Sequence, residues 1–133
     1  MSMKGFVADI AGLTETNGDY RRVVYTGKHL QLVLMSLAPG EEIGEEVHQN
    51  GDQFFRVETG TGVVLIDDTR TQIKGDDGFV VPAGARHNVT NTGQKPMTVY
   101  TLYSPPEHRD GFVAATKADA DASKEHFDGK TTE

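Results

Sequence analysis

Apolar positions along the chain come in short runs, and each run is closed by a turn signal. Tyr20–Thr26 ends at Gly27, and Leu30–Leu37 ends at Pro39-Gly40. Ile43–His48 and Gln53–Glu58 are joined across Gln49-Asn50-Gly51-Asp52. Val63–Ile66 follows Gly60-Thr61-Gly62, and Asp67-Asp68 reads as a hairpin turn into Thr69–Lys74. Phe79–Val81 runs into Pro82-Ala83-Gly84, and His87–Asn91 and Met97–Tyr103 complete the series. The runs are rich in Val, Ile, Thr, Tyr and Phe, the residues that suit a pleated strand. Turns every ~8–12 residues predict an all-β sandwich or barrel. Nothing between residues 20 and 103 has helical periodicity, so a parallel βαβ architecture is excluded.

The two ends differ from the middle. Residues 1–19 are expected to pack on the barrel or on a partner, residues 20–104 to form the barrel, and residues 105–133 to extend from it. Ser104-Pro105-Pro106 stops the last strand. Thr116-Lys117-Ala118-Asp119 has the form of a capping box, with Asp119 in place of the usual Glu, which predicts a short helix near 116–127. From Asp128 onward the chain is expected to fray.

Composition narrows the function classes. The chain has 133 residues, enough for one domain with a core of its own. Its net charge of −7 opposes binding to nucleic acid phosphates and to anionic membranes. Cysteine is absent, which rules out disulfides, thiol nucleophiles and iron–sulfur clusters and fits a reducing cytoplasm. No run approaches the ~18 apolar residues of a membrane span. The stretch from Met1 to Phe6 lacks the apolar core of a secretory signal, so the expected location is the cytoplasm.

The densest chemistry lies in Gly40–Gly60, GEEIGEEVHQNGDQFFRVETG. Residues two apart on a strand share a face, so Glu46 and His48 point the same way. Asn50-Gly51 favours a reversal. The returning run puts Gln53, Phe55 and Val57 on one face and the more charged set Phe54, Arg56 and Glu58 on the other. A carboxylate, an imidazole and an amide oxygen meeting on the inner face make a partial metal site. His87 follows a corner fixed by Pro82 and Gly84, and a barrel can bring it to the same place. The opposite side of the first run, Ile43 and Val47, is apolar. It is expected to pack on the barrel rim, the N-terminal segment or a second copy of the chain.

These spacings resemble those of a small single-domain cupin. The first motif of that family is Gly, five residues, His-x-His, three or four residues, Glu, six residues, Gly; here Gly40, Glu46, His48, Gln53 and Gly60 hold those positions. In the second motif, Pro82, Gly84, His87 and Asn91 match at the same spacing. The resemblance covers roughly residues 26–103. It extends to Tyr103-Ser104-Pro105-Pro106-Glu107-His108 and Thr116-Lys117-Ala118, which are similar to the mannose-6-phosphate-isomerase-like subgroup. It implies a jelly-roll barrel, the double-stranded β-helix, with a divalent metal held by Glu46, His48, Gln53 and His87. Glu46 stands where the family has its first His, and Gln53 where it has Glu. The double exchange conserves ligand number and formal charge. Gly75 comes one residue early in the second motif, which predicts a bulge or longer turn at Asp76-Asp77-Gly78.

Other residues carry weaker signals. Tyr103 and His108 follow the last strand and are candidates to line the cavity mouth. Phe55 reads as barrel filling, with Leu34, Val57, Val64, Ile66 and Val99, and is also a candidate ligand contact. Arg86 is a possible partner for an anionic substrate, and Arg21-Arg22 reads as a solvated pair. Zn²⁺ or Ni²⁺ at the site would polarise a carbonyl or hydroxyl, which suits isomerase-like action on a sugar, keto acid or similar metabolite. Fe²⁺ or Mn²⁺ would suit dioxygenase chemistry instead, and a non-catalytic ligand-binding role is the third reading. The expected partners are a small molecule and a second copy of the chain in a homodimer.

Overall fold

The computed structural model describes residues 2–133. In chain order it contains α1 (Ile10–Thr16), β1 (Arg21–Thr26), β2 (Gln31–Leu37), β3 (Glu46–Val47), β4 (Asp52–Thr59) and β5 (Thr61–Ile66). These are followed by β6 (Thr69–Lys74), β7 (Gly78–Val81), β8 (Arg86–Asn91), β9 (Met97–Ser104), β10 (Val113–Ala114) and α2 (Lys117–Ala122). The strands form a six-stranded sheet, β10-β1-β2-β9-β4-β7, and a four-stranded sheet, β3-β8-β5-β6. The pairings are antiparallel, as the jelly-roll expectation requires.

Alternation decides what faces inward. In β4, Gln53, Phe55 and Val57 are buried, while Phe54, Arg56 and Glu58 are half-exposed. In β8 the inward set is His87, Val89 and Asn91. Val33, Met35, Leu37, Val64, Val89, Met97 and Val99 join Phe55 and Val57 in the core between the sheets. Burial of each such side chain contributes roughly 1.5–3 kcal/mol. β2 does not alternate, because both of its faces are covered. Leu34 is 1% exposed, yet it faces away from Val33 and Met35, so it fills the outer layer and not the barrel. Helix α1 provides part of that layer. It packs on β2, β4 and β9 and is capped by Asp9, whose carboxylate accepts from Gly12 N–H. The sequence IAGLTET gave no warning of a helix, since Gly and Thr are weak helix formers.

The turns follow their residues. Asp67-Asp68 closes a two-residue hairpin with Asp67 at φ 48°. The extra residue at 76 is absorbed by Asp76 at φ 76°, in the turn predicted there. The run 43–48 does not form one strand. Gly44 sits at φ +106°, a conformation that favours glycine, and it resets the alternation. Ile43 therefore joins the core, bonding through its N–H to Val89 O, and Glu46 still faces inward. Only Val47, 43% exposed, remains of the predicted outward apolar face.

The C-terminal stretch starts as predicted and ends differently. The Thr116 side chain accepts from Asp119 N–H at 3.1 Å and caps α2. The helix stops at Ala122, short of 127, because Glu125 and Phe127 are drawn to other partners. Glu125 binds His108 and Arg109, and Phe127 N–H donates to Glu107 O. The tail beyond Asp128 is docked, not frayed. Thr132 N–H donates to Thr26 O, and Thr26 N–H donates to Thr132 Oγ1. The Glu133 carboxylate takes the Tyr25 hydroxyl and the N–H groups of Lys4 and Gly5. The end of β1 leaves backbone groups unpaired there, and the tail satisfies them.

Candidate metal centre

β3 and β8 are neighbours, and their register places Glu46 directly opposite His87. Two corners hold this end together. Gly84, at φ +89°, donates its N–H to His48 O at 2.9 Å, and Ala85 N–H closes on Pro82 O. The chain therefore enters β8 with His87 directed inward and 2% exposed. One ligand atom each from Glu46, His48 and His87 can be chosen so that all lie within 4.8 Å of one another. The two imidazole centroids are 5.3 Å apart.

Each donor has a defined state. His87 Nδ1 lies 3.2 Å from Ala85 O. A carbonyl can only accept, so Nδ1 carries the proton and Nε2 presents a lone pair. His48 lies between two carboxylates, with Nδ1 3.5 Å from Glu107 and Nε2 3.1 Å from Glu46. Glu107 and then Glu46 push its pKa up to about 9, against the opposing effect of burial. Without an ion it is therefore a cation at neutral pH. Burial works against the charge on Glu46, but the His48 hydrogen bond and charge, and then Arg21, outweigh it and hold the carboxyl below its ordinary range. Bonding to His48 does the same for Glu107. Metal-bound His commonly hands its second N–H to a carboxylate, and Glu107 is placed for that role.

Gln53 supplies the test of whether a cation fits. It is 3% exposed, and its Nε2 donates to Thr101 Oγ1 at 2.9 Å. The Thr101 hydroxyl spends its own proton on Phe54 O at 2.8 Å, so it can only accept from Gln53. This fixes the amide orientation and leaves Gln53 Oε1 buried without a partner among the described residues. Such an oxygen costs ~1–3 kcal/mol. Glu46, His48 and His87 bring together donor types that suit a divalent first-row ion, and the unpartnered Gln53 oxygen is a further donor of a suitable kind.

The weaker candidates fall in different places. The Tyr103 ring stands edge-on to His48 at 5.8 Å. Its hydroxyl lies 3.3 Å from His108 Nε2, and His108 Nδ1 is 2.6 Å from Glu125. Burial pushes the Tyr103 phenol well up, so it stays neutral. Phe55 stacks on Phe79 at 4.8 Å within the core. Arg86 is directed outward, to Glu45, Asp67 and Asp68, because a strand sends its neighbour His87 the other way. For the same reason Arg21 and Arg22 are not a solvated pair, since Arg21 is buried at 8% exposure. Glu107 carried no separate signal in the sequence beyond its place in the tail resemblance. A hollow of about 220 Å³ opens beside His48, between the 47–51 corner, Pro105 and Glu107. A larger one, about 450 Å³ along β5 and β6, shares no residue with the cluster.

Residues 33–103 match the family model described as Cupin domain. This chain belongs to the cupin family. The cupin is 44% identical over 128 residues to the uncharacterized protein YrkC of Bacillus subtilis, covering 92% of this chain and 69% of that one. It is 31% identical over 71 residues to the tetracenomycin polyketide synthase protein TcmJ of Streptomyces glaucescens, covering 53% of this chain and 48% of that one. Among solved structures, BH2720 of Bacillus halodurans is similar with a TM-score of 0.89 and 42% identity, over 90% of this cupin and 96% of that chain. The Glu46, His48 and His87 cluster of this cupin could bind a metal. No helix among the described residues is long and apolar enough to cross a membrane.

Proposed function

We propose that this cupin holds a divalent ion on Glu46, His48, Gln53 and His87 and acts on a small polar metabolite, a sugar or keto acid, in an isomerase-like reaction. The observation that carries this reading is the convergence of three donors within 4.8 Å. The buried, unpartnered Gln53 oxygen supports it. When bound, Zn²⁺, Ni²⁺, Mn²⁺ or Fe²⁺ supplies Lewis acidity toward a substrate carbonyl or hydroxyl.

The chain's own groups have defined parts in this reading. His87 Nε2 and Gln53 Oε1 present lone pairs already oriented by their hydrogen bonds. Glu107, 3.5 Å from His48 Nδ1, orients that ring. Tyr103, neutral and beside His48, offers a hydroxyl to a ligand oxygen, while His108, anchored by Glu125, holds that hydroxyl in place. Phe55 backs the site from the core. Membership of the mannose-6-phosphate-isomerase-like subgroup, a homodimer and a cytoplasmic setting belong to the same reading. They rest on the motif resemblance, and the exposed Val47 and Val80 add support for a dimer.

Elemental analysis of protein purified without added metal tests the site. The expected result is one ion per chain, lost in His48→Ala and His87→Ala and kept in His126→Ala. Full occupancy in the first two variants rejects the ligand assignment. Metal without turnover of sugars or keto acids leaves a binding protein in place of an enzyme.

A further inference from the structure

Asparagine is chemically labile, because the backbone nitrogen of the next residue can attack its side-chain amide. Glycine shields that nitrogen least, having no Cβ. The chain has four asparagines, and two of them, Asn17 and Asn50, precede glycine. The dipeptide is the same at both places, so the fold decides between them. Asn17 is the C-cap of α1 and is 6% exposed. Its Nδ2 donates to Asp19 O at 2.9 Å, and its Oδ1 accepts from Asp19 N–H at 3.2 Å. Turning that amide toward Gly18 N breaks both bonds within a buried turn. Asn88 accepts from Gly44 N–H, and Asn91 donates to Leu37 O and Lys95 O. Each of these two also precedes a β-branched residue, Val89 or Thr92, which crowds the attack. Asn50 is exposed at the corner between β3 and β4, and among the described residues its side chain alone of the four makes no hydrogen bond. The hollow of about 220 Å³ beside His48 is lined by both Asn50 and Gly51, which leaves room for the reaction and access for water.

We infer that Asn50 is a site of spontaneous deamidation and that Asn17, with the same neighbour, is protected by the fold. Gly51 N gives its proton to the solvent and bonds to Asn50 Cγ. The bond from Cγ to Nδ2 breaks, and Nδ2 takes up a proton and leaves as ammonia. The five-membered imide then consumes one water. Opening at the Cγ–N bond gives aspartate at this position, and opening at the bond from the backbone carbonyl carbon to N gives isoaspartate. Either product adds a carboxylate to the hollow that Glu107 and His48 also line. In isoaspartate the main chain runs through Cγ and is one atom longer between His48 and Gln53, two of the proposed metal donors. That consequence rests on the metal-site reading, and the modification itself does not.

The test incubates the full-length native protein at neutral pH below its melting temperature, beside a sample unfolded in urea. Both are mapped by mass spectrometry after digestion with pepsin in acid, and released ammonia is measured. In urea Asn17 and Asn50 are expected to convert at similar rates. In the native protein Asn50 is expected to convert at least about tenfold faster than Asn17, which must first give up two hydrogen bonds. Asn50→Gln keeps an amide and forms the ring far less readily, so it is expected to abolish most of the ammonia released by native protein. The inference is overturned if Asn50 stays an amide in native protein, if Asn17 keeps pace with it there, or if neither converts in urea. The isoaspartyl fraction, separated by ion exchange, is expected to hold Zn²⁺ at least about tenfold more weakly than fresh protein, the range found when the surroundings of metal ligands are altered. Equal Zn²⁺ affinity overturns the consequence for the site. If fresh protein binds no Zn²⁺, the metal reading fails, while the peptide map still decides the modification.

Discussion

Gln53 stands where the family resemblance would place a glutamate, and its amide is half-satisfied. Thr101 takes its N–H, and among the described residues nothing takes its oxygen. Gln53→Leu keeps the volume and removes the orphaned oxygen, and Thr101 retains its bond to Phe54 O. The expected outcome is a urea midpoint for the metal-free protein that corresponds to a stability within about 1 kcal/mol of wild type. Metal affinity, read by competition with a chelator, is expected to fall roughly 10–100-fold. An unchanged affinity would remove Gln53 from the donor set. At this scale the sequence was readable where spacing carried the information. The two motif spacings singled out Glu46, His48 and His87, and their donor atoms do converge. It was not readable where two like residues sit side by side. Arg21 and Arg22 look alike in a linear string, and only the pleat sends one into the barrel and the other to water. Glu107 was equally obscure, because its value comes from a distant histidine, His48.

Between elements, closeness of approach matters more than side-chain type. Gly62 lies in the middle of its sheet, paired with Asn91 on β8 and Ile73 on β6. A Cβ there would come within 2.3 Å of Thr90 O and 2.9 Å of Met97 Sδ. Backbone cannot yield as a flexible side chain can, so Gly62→Ala is expected to lower stability by roughly 1–3 kcal/mol or more in urea unfolding. Gly18→Ala, with nothing within 4 Å, is expected to stay within about 0.5 kcal/mol. The strands were legible from their runs and turn residues, as the Asp67-Asp68 hairpin shows. The 43–48 segment was misread as one strand because period-two patterning assumes an unbroken pleat, and Gly44 breaks it. Helix α1 was missed because its existence depends on the sheet face it covers, not on its own propensity.

For the whole molecule, the C-terminal extension is held by charge. Glu125 is almost buried; burial opposes its ionisation, but His108 and the Arg109 N–H prevail and hold the carboxyl below its ordinary range. A carboxyl whose pKa is lower in the folded than in the unfolded state stabilises the fold above the ordinary carboxylate range, and that stability is lost as pH falls through the folded value. Wild type is therefore expected to lose stability on acidification below about pH 4.5 more steeply than Glu125→Gln. At pH 7 the variant is expected to be weaker by roughly 1.5–3 kcal/mol, the usual contribution of a hydrogen bond to a charged group. Thermal melts from pH 3 to pH 7 check this, and parallel curves for the two proteins would show that the Glu125 contact contributes nothing.

The proposed donors come from both layers of the sandwich: Gln53 lies on β4 of the six-stranded sheet, and Glu46 and His87 lie on β3 and β8 of the four-stranded one. The four-stranded layer by itself brings Glu46, His48 and His87 together, and the fourth proposed donor, Gln53, joins them only once the layers are stacked. An ion captured there acts as a late-closing latch. Because it would bind the folded chain and not the open one, it would stabilise the stacked layers by mass action, and the melting temperature would rise with its concentration.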